Sequence, residues 1–189
     1  MNFFKIKKIE IEILPIIEKG GIGILPTDTL YGIVGSALDK RVVERIYEVR
    51  KRDPKKPCII LISRIEDIEK FGVEITKEQR KTLKNIWPGK ISVILECNNK
   101  NFEYLSRGTG SLSFRVPKKN WLRRILEKTG PLVAPSANVE SMPHSQTIEE
   151  AKKYFNDKVD FYIDYGKISS DPSKIIRLFS DGSQELIRK

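Results

Sequence analysis

The chain predicts an α/β fold with a mixed sheet, on three observations. Apolar runs of strand length alternate with segments of helical periodicity along the 189 residues. Cys58–Ile62 is a continuous apolar run that suits a strand covered on both faces. Short strands finish the chain, making the sheet mixed rather than purely parallel.

The first helix is predicted over Lys8–Lys19 and stops at Gly20-Gly21, and a strand over Ile22–Leu25 breaks at Pro26. The next helix spans Lys40–Arg52, with Val42, Val43, Ile46, Tyr47 and Val49 as its buried stripe. After the Asp53–Pro57 turn and the Cys58–Ile62 strand come short helices near Ile65–Phe71 and Thr76–Ile86, closed by Trp87-Pro88-Gly89. Ile91–Glu96 reads as a strand, Asn98–Asn101 as a polar loop, and Gly108-Thr109-Gly110 as a turn. In the strand Leu112–Val116 the side chains alternate: Leu112, Phe114 and Val116 share one face, Ser113 and Arg115 the other. A helix over Asn120–Lys128, a strand over Leu132–Ala134 and a helix over Thr147–Phe155 follow. Short strands near Asp160–Asp164, Lys174–Phe179 and Glu185–Arg188 end the chain. Residues 1–189 read as a single domain of a size that builds its own core.

Composition excludes several classes. No apolar run reaches the roughly 18 to 20 residues a membrane span needs, and Met1–Glu10 lacks a signal-peptide apolar segment, so the expected location is cytoplasmic with no membrane partner. The 2 cysteines, Cys58 and Cys97, sit in or beside apolar strands and read as core thiols, not as a disulfide or zinc site. His144 is the 1 histidine, which leaves no room for a His-rich metal cluster. The formal charge of +10 suits nucleotides or nucleic acid as partners, and equally suits solvated helix faces.

Four polar clusters stand out, two of them just beyond strands, the place where α/β folds gather ligands. Pro26–Gly32 offers the hydroxyls of Thr27 and Thr29 and a glycine that permits close backbone approach; it also reads as an Asp/Thr turn. Arg50, Lys51, Arg52, Lys55 and Lys56 crowd a helix end beyond what its macrodipole needs, and the guanidinium forks suit a triphosphate. Arg115, mid-strand opposite an apolar face, must either reach solvent or meet an anion, a substrate carboxylate or a structural one. Ala134–Asn138 presents Ser136 and Asn138 with backbone amides between them, suited to phosphate oxygens or to a plain turn.

Taken in order, these segments resemble the YrdC-like threonylcarbamoyl-AMP synthase family from Gly20 to Arg188. The family's P-T-(D/E)-T-x-Y-G motif matches Pro26–Gly32, W-P-G matches Trp87–Gly89, and V-R-x-P resembles Phe114–Pro117. P-S-A-N stands at Pro135–Asn138, a late P-S-x-(I/V)-(I/V) segment at Pro172–Ile176, and the final strand arginine at Arg188. The resemblance implies an open, twisted mixed sheet with flanking helices around a basic concave cavity. It also implies an enzyme, a nucleotidyltransferase that condenses L-threonine, bicarbonate or CO₂, and ATP into threonylcarbamoyl-AMP and pyrophosphate for tRNA modification. Thr29, Arg115 and Ser173 would contact L-threonine. Arg52, Lys56, Ser111, Ser136, Asn138, His144 and Arg188 would contact ATP. Catalysis would fall to Arg50, Arg52, Ser136 and Asn138. Mg²⁺ would arrive with the nucleotide, without a dedicated metal site, and the product would pass to a downstream tRNA threonylcarbamoyl-transferase complex.

Three departures stand out. The family's K-x-R is Arg50-Lys51-Arg52, the usual S-G-x-P-S is Glu140–Ser145 with His144 at a serine position and Ser145 beside it, and the C-terminal domain of longer members is not expected. Two other readings remain open: a YciO-like paralogue acting on another acyl-adenylate, and a non-enzymatic module holding tRNA or double-stranded RNA through phosphate contacts.

Overall fold

Nine strands join in one mixed sheet, in the order β7-β1-β2-β6-β3-β5-β4-β8-β9. The computed structural model describes residues 3–189, with side chains described for residue 9 and from residue 11 onward. The strands are β1 (Gly23–Pro26), β2 (Tyr31–Ser36), β3 (Ile59–Leu61), β4 (Ile91–Glu96), β5 (Ser111–Arg115), β6 (Leu132–Val133), β7 (Phe161–Tyr162), β8 (Lys174–Leu178) and β9 (Gln184–Arg188). The helices are α1 (Phe3–Glu18), α2 (Lys40–Arg50), α3 (Lys77–Ile86), α4 (Glu103–Ser106), α5 (Asn120–Thr129) and α6 (Ile148–Phe155). Only the pairs β1/β7, β3/β5 and β4/β8 are parallel; the rest are antiparallel, so the sheet is mixed along its whole width.

β2 is the element that the sequence pattern hides. Pro26–Gly32 reads as one polar cluster, yet the loop is only the tip of a hairpin: the Thr27 N–H donates to the Leu30 carbonyl at 2.9 Å, and β2 starts at Tyr31. Gly32 and Gly35 interrupt the apolar pattern that would announce a strand. α1 begins at Phe3 rather than at Lys8 and continues through Pro15 to Glu18, because Ile9, Ile13 and Ile17 hold one buried face.

α2 starts at Asp39, whose side chain accepts from the Arg41 N–H, and stops where Lys51 turns left-handed at φ 49°. Its buried stripe continues from Val42, Val43, Ile46 and Tyr47 to Arg50, while Val49 is only partly buried. The helical period from Val43 and Ile46 falls on position 50, not 49, and a guanidinium is buried there because it finds acceptors.

The two sheet faces differ. One packs Ile24, Ile33, Ile60, Val93, Phe114 and Ile176 under α2, α3 and α6 in the main core. On the other, α1 and α5 cover β1, β2, β6 and the end of β3 through Leu25, Val34, Leu61 and Leu132. Full burial of each such side chain stabilises the fold by about 1.5–3 kcal/mol. α1 and α5 stop short of β5, β4, β8 and β9, whose side chains on that face include Arg115, Ser113 and Ile175. Cys58 and Cys97 are free and buried. Among the described residues no helix is long and apolar enough to cross a membrane.

Candidate active site: a basic cleft on the open half of the sheet

A cleft of about 310 Å³ lies over this uncovered half. Its lining runs from Ala134 beside β6, through Ile59 and Arg115, to Ser173, Ile175 and Arg188 on β8 and β9. Five inter-strand steps of about 4.8 Å make that roughly 24 Å. Two loops meet at its edge because Gly32 lets them: a Cβ there would lie 3.3 Å from Thr27 Cγ2 and 3.4 Å from the Pro135 carbonyl. Gly32 bridges to Ser136, the Ile33 N–H donates to Pro135 O at 3.0 Å, and the Ala137 N–H donates to Tyr31 O at 2.8 Å.

One corner is built on Arg115. Its Nη2 lies 3.2 Å from Asp28 Oδ1, and both side chains are 4% exposed. Arg115 Nη1 donates to Thr29 Oγ1 at 3.2 Å, while Arg115 Nε has no hydrogen-bond partner. Asp28 Oδ2 also accepts the Lys118 N–H at 3.1 Å. Burial lowers the Arg115 pKa, opposed by the Asp28 charge and reinforced by Arg188. The structural carboxylate that the sequence left open is therefore Asp28, and Arg115 still lines the cleft. Thr27 serves the turn: its Oγ1 donates to Leu30 O at 2.7 Å and accepts from the Thr29 and Leu30 N–H groups, leaving Thr29 to face Arg115.

The opposite corner is built on the end of α2. Arg50, 2% exposed, donates from Nε to Asn138 O at 3.0 Å and from Nη2 to Asn138 Oδ1 at 3.2 Å and Ser136 Oγ at 3.5 Å. Ser136 Oγ donates to Asn138 Oδ1 at 2.6 Å, and Asn138 Nδ2 donates to Val139 O and Met142 O, both at 2.8 Å. Burial pushes the Arg50 pKa down to about 10, with the Arg52 charge adding to the effect, so the group stays cationic at neutral pH. Arg52 is held by Lys56 O at 3.1 Å and Pro57 O at 3.0 Å. Glu140 spans the cations, 3.2 Å from Arg52 Nη1 and 2.9 Å from Lys56 Nζ.

At the third side Arg188 Nη2 donates to Ser173 O at 2.8 Å, and the hydroxyls of Ser173 and Ser92 lie 2.9 Å apart. The cleft's polar side chains are thus mainly cations and hydroxyls, set among apolar residues such as Leu30, Ile59 and Ile175, a donor set that suits phosphate and carboxylate oxygens rather than a resident divalent ion. Among the described residues no group of three His, Cys, Asp or Glu side chains could hold a metal.

Of the residues singled out from sequence, Thr29, Arg52, Arg115, Ser136, Asn138, His144, Ser173 and Arg188 line this cleft together. Arg50 does not: it lies behind the Ser136–Asn138 loop and positions it, because its side-chain hydrogen bonds go to that loop. Lys56 stands at the rim, drawn to Glu140. Ser111 does not line this cleft. It begins β5, four residues from Arg115 at about 3.3 Å per residue, and its hydroxyl contacts Thr109 Oγ1 at 3.1 Å beside a separate cavity. Alternation puts Ser111 on the same strand face as Arg115, at the other end of β5. Sequence reasoning missed Asp28 and Glu140; the signal for Glu140 was that no other carboxylate occurs between Ala134 and Ile148.

Fold and site together define an α/β protein whose open mixed sheet carries one basic, hydroxyl-lined cleft. The chain belongs to the Sua5/YciO/YrdC family: the family model Sua5_yciO_yrdC, described as "Telomere recombination", matches residues 15–189. It is 31% identical over 166 residues to a putative threonylcarbamoyl-AMP synthase of Methanocaldococcus jannaschii, covering 87% of this chain and 78% of that one. It is 30% identical over 152 residues to the threonylcarbamoyl-AMP synthase of Pyrococcus abyssi, covering 80% of this chain and 45% of that one. The crystal structure of Pyrococcus abyssi Sua5 complexed with L-threonine superimposes with a TM-score of 0.83 at 29% identity, over 92% of this chain and 51% of that one. The chain therefore spans about half the length of the Pyrococcus abyssi relative.

Proposed function

We propose that residues 1–189 form one domain that makes threonylcarbamoyl-AMP and pyrophosphate from L-threonine, bicarbonate or CO₂, and ATP. The observation that carries this reading is that one cleft brings Arg52, Ser136 and Asn138 together with Thr29, Arg115 and Ser173. The Arg52 corner sets three cations, Arg50, Arg52 and Lys56, against one carboxylate, Glu140. At the other end Arg115 pairs with Asp28, with Arg188 close enough to act on it electrostatically. An excess of positive charge suits a triphosphate, and Arg115 on the cleft wall suits the carboxylate of an amino acid. The L-threonine complex of the Pyrococcus abyssi relative supports the second assignment.

In this reading the threonine ammonium loses a proton to solvent, the amine attacks CO₂ and the adduct sheds a second N–H proton to solvent; the carbamate oxygen then attacks the α-phosphorus, and pyrophosphate leaves. Bicarbonate as the carbon source releases one water in the sum. Thr29, Arg115 and Ser173 orient the amino acid; Arg52, Ser136, Asn138, His144 and Arg188 hold the nucleotide; Lys56 meets the phosphates at the rim. No covalent enzyme intermediate is needed, because alignment and charge compensation carry the rate. Mg²⁺ enters with the phosphates. The product suits a tRNA threonylcarbamoyl-transferase complex in the cytoplasm.

Pyrophosphate release from ATP should require both threonine and bicarbonate. Turnover indifferent to threonine sinks this reading in favour of another acyl-adenylate chemistry, and salt-sensitive RNA binding with no turnover sinks it in favour of a binding module.

A further inference from the structure

Glu140 has no place in the scheme above, yet it lies at the centre of the most cationic corner of the cleft. Its backbone N–H donates to the Arg50 carbonyl at 2.8 Å, fixing the start of its side chain against the end of α2. The carboxylate then divides between the cations: Oε1 accepts from Lys56 Nζ at 2.9 Å, and Oε2 accepts from Arg52 Nη1 at 3.2 Å. Arg50 Nη1, buried and without a hydrogen bond, lies 3.9 Å from the same Oε2. An oxyanion gathering two guanidinium groups and an ammonium is the arrangement a phosphate group makes.

We propose that Glu140 is an internal anion standing in for a phosphate, which a bound polyphosphate must displace from Arg52 and Lys56, so that this one carboxylate sets the affinity of the cleft for polyphosphates. The ligand class, a nucleoside triphosphate, rests on the functional reading above.

Two effects of removing the charge oppose each other, and the contacts decide between them. Glu140 repels an incoming phosphate, but it also holds the cations in place. Arg52 keeps its position without it, through the Lys56 and Pro57 carbonyls and the Tyr47 ring 5.9 Å from its guanidinium carbon. Arg50 keeps its position through Asn138. Lys56 alone loses a tether, and its side chain is already 58% exposed. Loss of repulsion therefore outweighs loss of order. Holding Glu140 ionised is the Lys56 hydrogen bond first, then the Arg52, Lys56 and Arg50 charges; these outweigh burial and keep it below the usual carboxylate range.

The test is calorimetric binding of inorganic tripolyphosphate and of ATP with Mg²⁺ to the wild type, Glu140→Gln and Glu140→Ser, with melts to establish folding. Both variants should bind tripolyphosphate about tenfold more tightly at low salt, the scale of one relieved like-charge contact at a partly exposed site. Each should also show a larger rise in melting temperature at saturating tripolyphosphate than the wild type. Equal or weaker binding in either variant overturns the proposal, and so does tightening in Gln alone, which would mean that the new amide itself binds the anion. Threonine-dependent turnover with unchanged tripolyphosphate affinity sinks this inference and leaves the functional reading intact. Tightened tripolyphosphate binding with no ATP turnover does the reverse.

Discussion

The two ends of the cleft bury arginines in opposite ways. Arg115 shares its low-dielectric site with Asp28, one charge against one, both almost wholly covered. Arg50 is equally covered but spends its hydrogen bonds on neutral groups of the Ser136–Asn138 loop, and its carboxylate lies 3.9 Å away, shared with Arg52 and Lys56. The first arrangement is a buried ion pair whose arginine still lines the cleft beside Thr29. The second uses a buried cation to shape a loop while its neighbours supply excess charge. Burial alone does not say what an arginine is for; its partners do.

The sharpest break in that comparison is Arg115→Ala. Removing one member of a buried pair leaves Asp28 uncompensated, so chemical denaturation should show a loss of about 3–5 kcal/mol. Arg115→Lys keeps the charge and a folded protein for kinetics; kcat/KM for threonine should fall on the order of 100-fold, with KM for ATP within about threefold of wild type. Equal losses for both substrates would mean that Arg115 has been assigned to the wrong ligand. Arg50→Lys comes next. It retains the cation but loses the fork that holds Asn138, so KM for ATP should rise about tenfold while KM for threonine stays put. A fall in kcat with unchanged KM would instead put Arg50 in contact with the reacting atoms.

The smallest effect belongs to a pair outside both corners, Arg45 and Asp160, at 2.7 Å on the surface. The Arg45 hydrogen bond leads the causes that hold the Asp160 carboxyl below the usual range. Its contribution is therefore full above the unfolded carboxylate value of about 3.9 and fades as pH falls through the lowered folded value. Asp160→Asn should cost at most about 1 kcal/mol at pH 7, nothing near pH 2, and no turnover. Melts of both proteins across that range provide the check.

Much of this molecule was legible from residues alone. The strands β3, β4, β5 and β8 announced themselves by apolar runs, and the alternation of Leu112, Phe114 and Val116 against Ser113 and Arg115 holds in the sheet. β2 stayed hidden because Gly32 and Gly35 replace the side chains that would mark it; the glycines serve close packing instead. The family motifs drew attention to Thr29, Arg115, Ser136 and Asn138, which share the cleft. They gave no warning that Ser111 lies at the far end of its strand, because distance along a strand matters to a ligand as much as face does.

By itself the sequence determined most of the segments that form helices and strands, the basic character of the chain and the positions of its polar loops, because periodicity and turn chemistry are local properties. Only the tertiary structure decided that Asp28 neutralises Arg115, that Arg50 lies behind its loop, and that Glu140 gathers the cations of α2 and the turn after it. Ion pairing is set by distances of about 3–4 Å between residues that are 84 to 90 positions apart in the chain, and no local pattern encodes those distances.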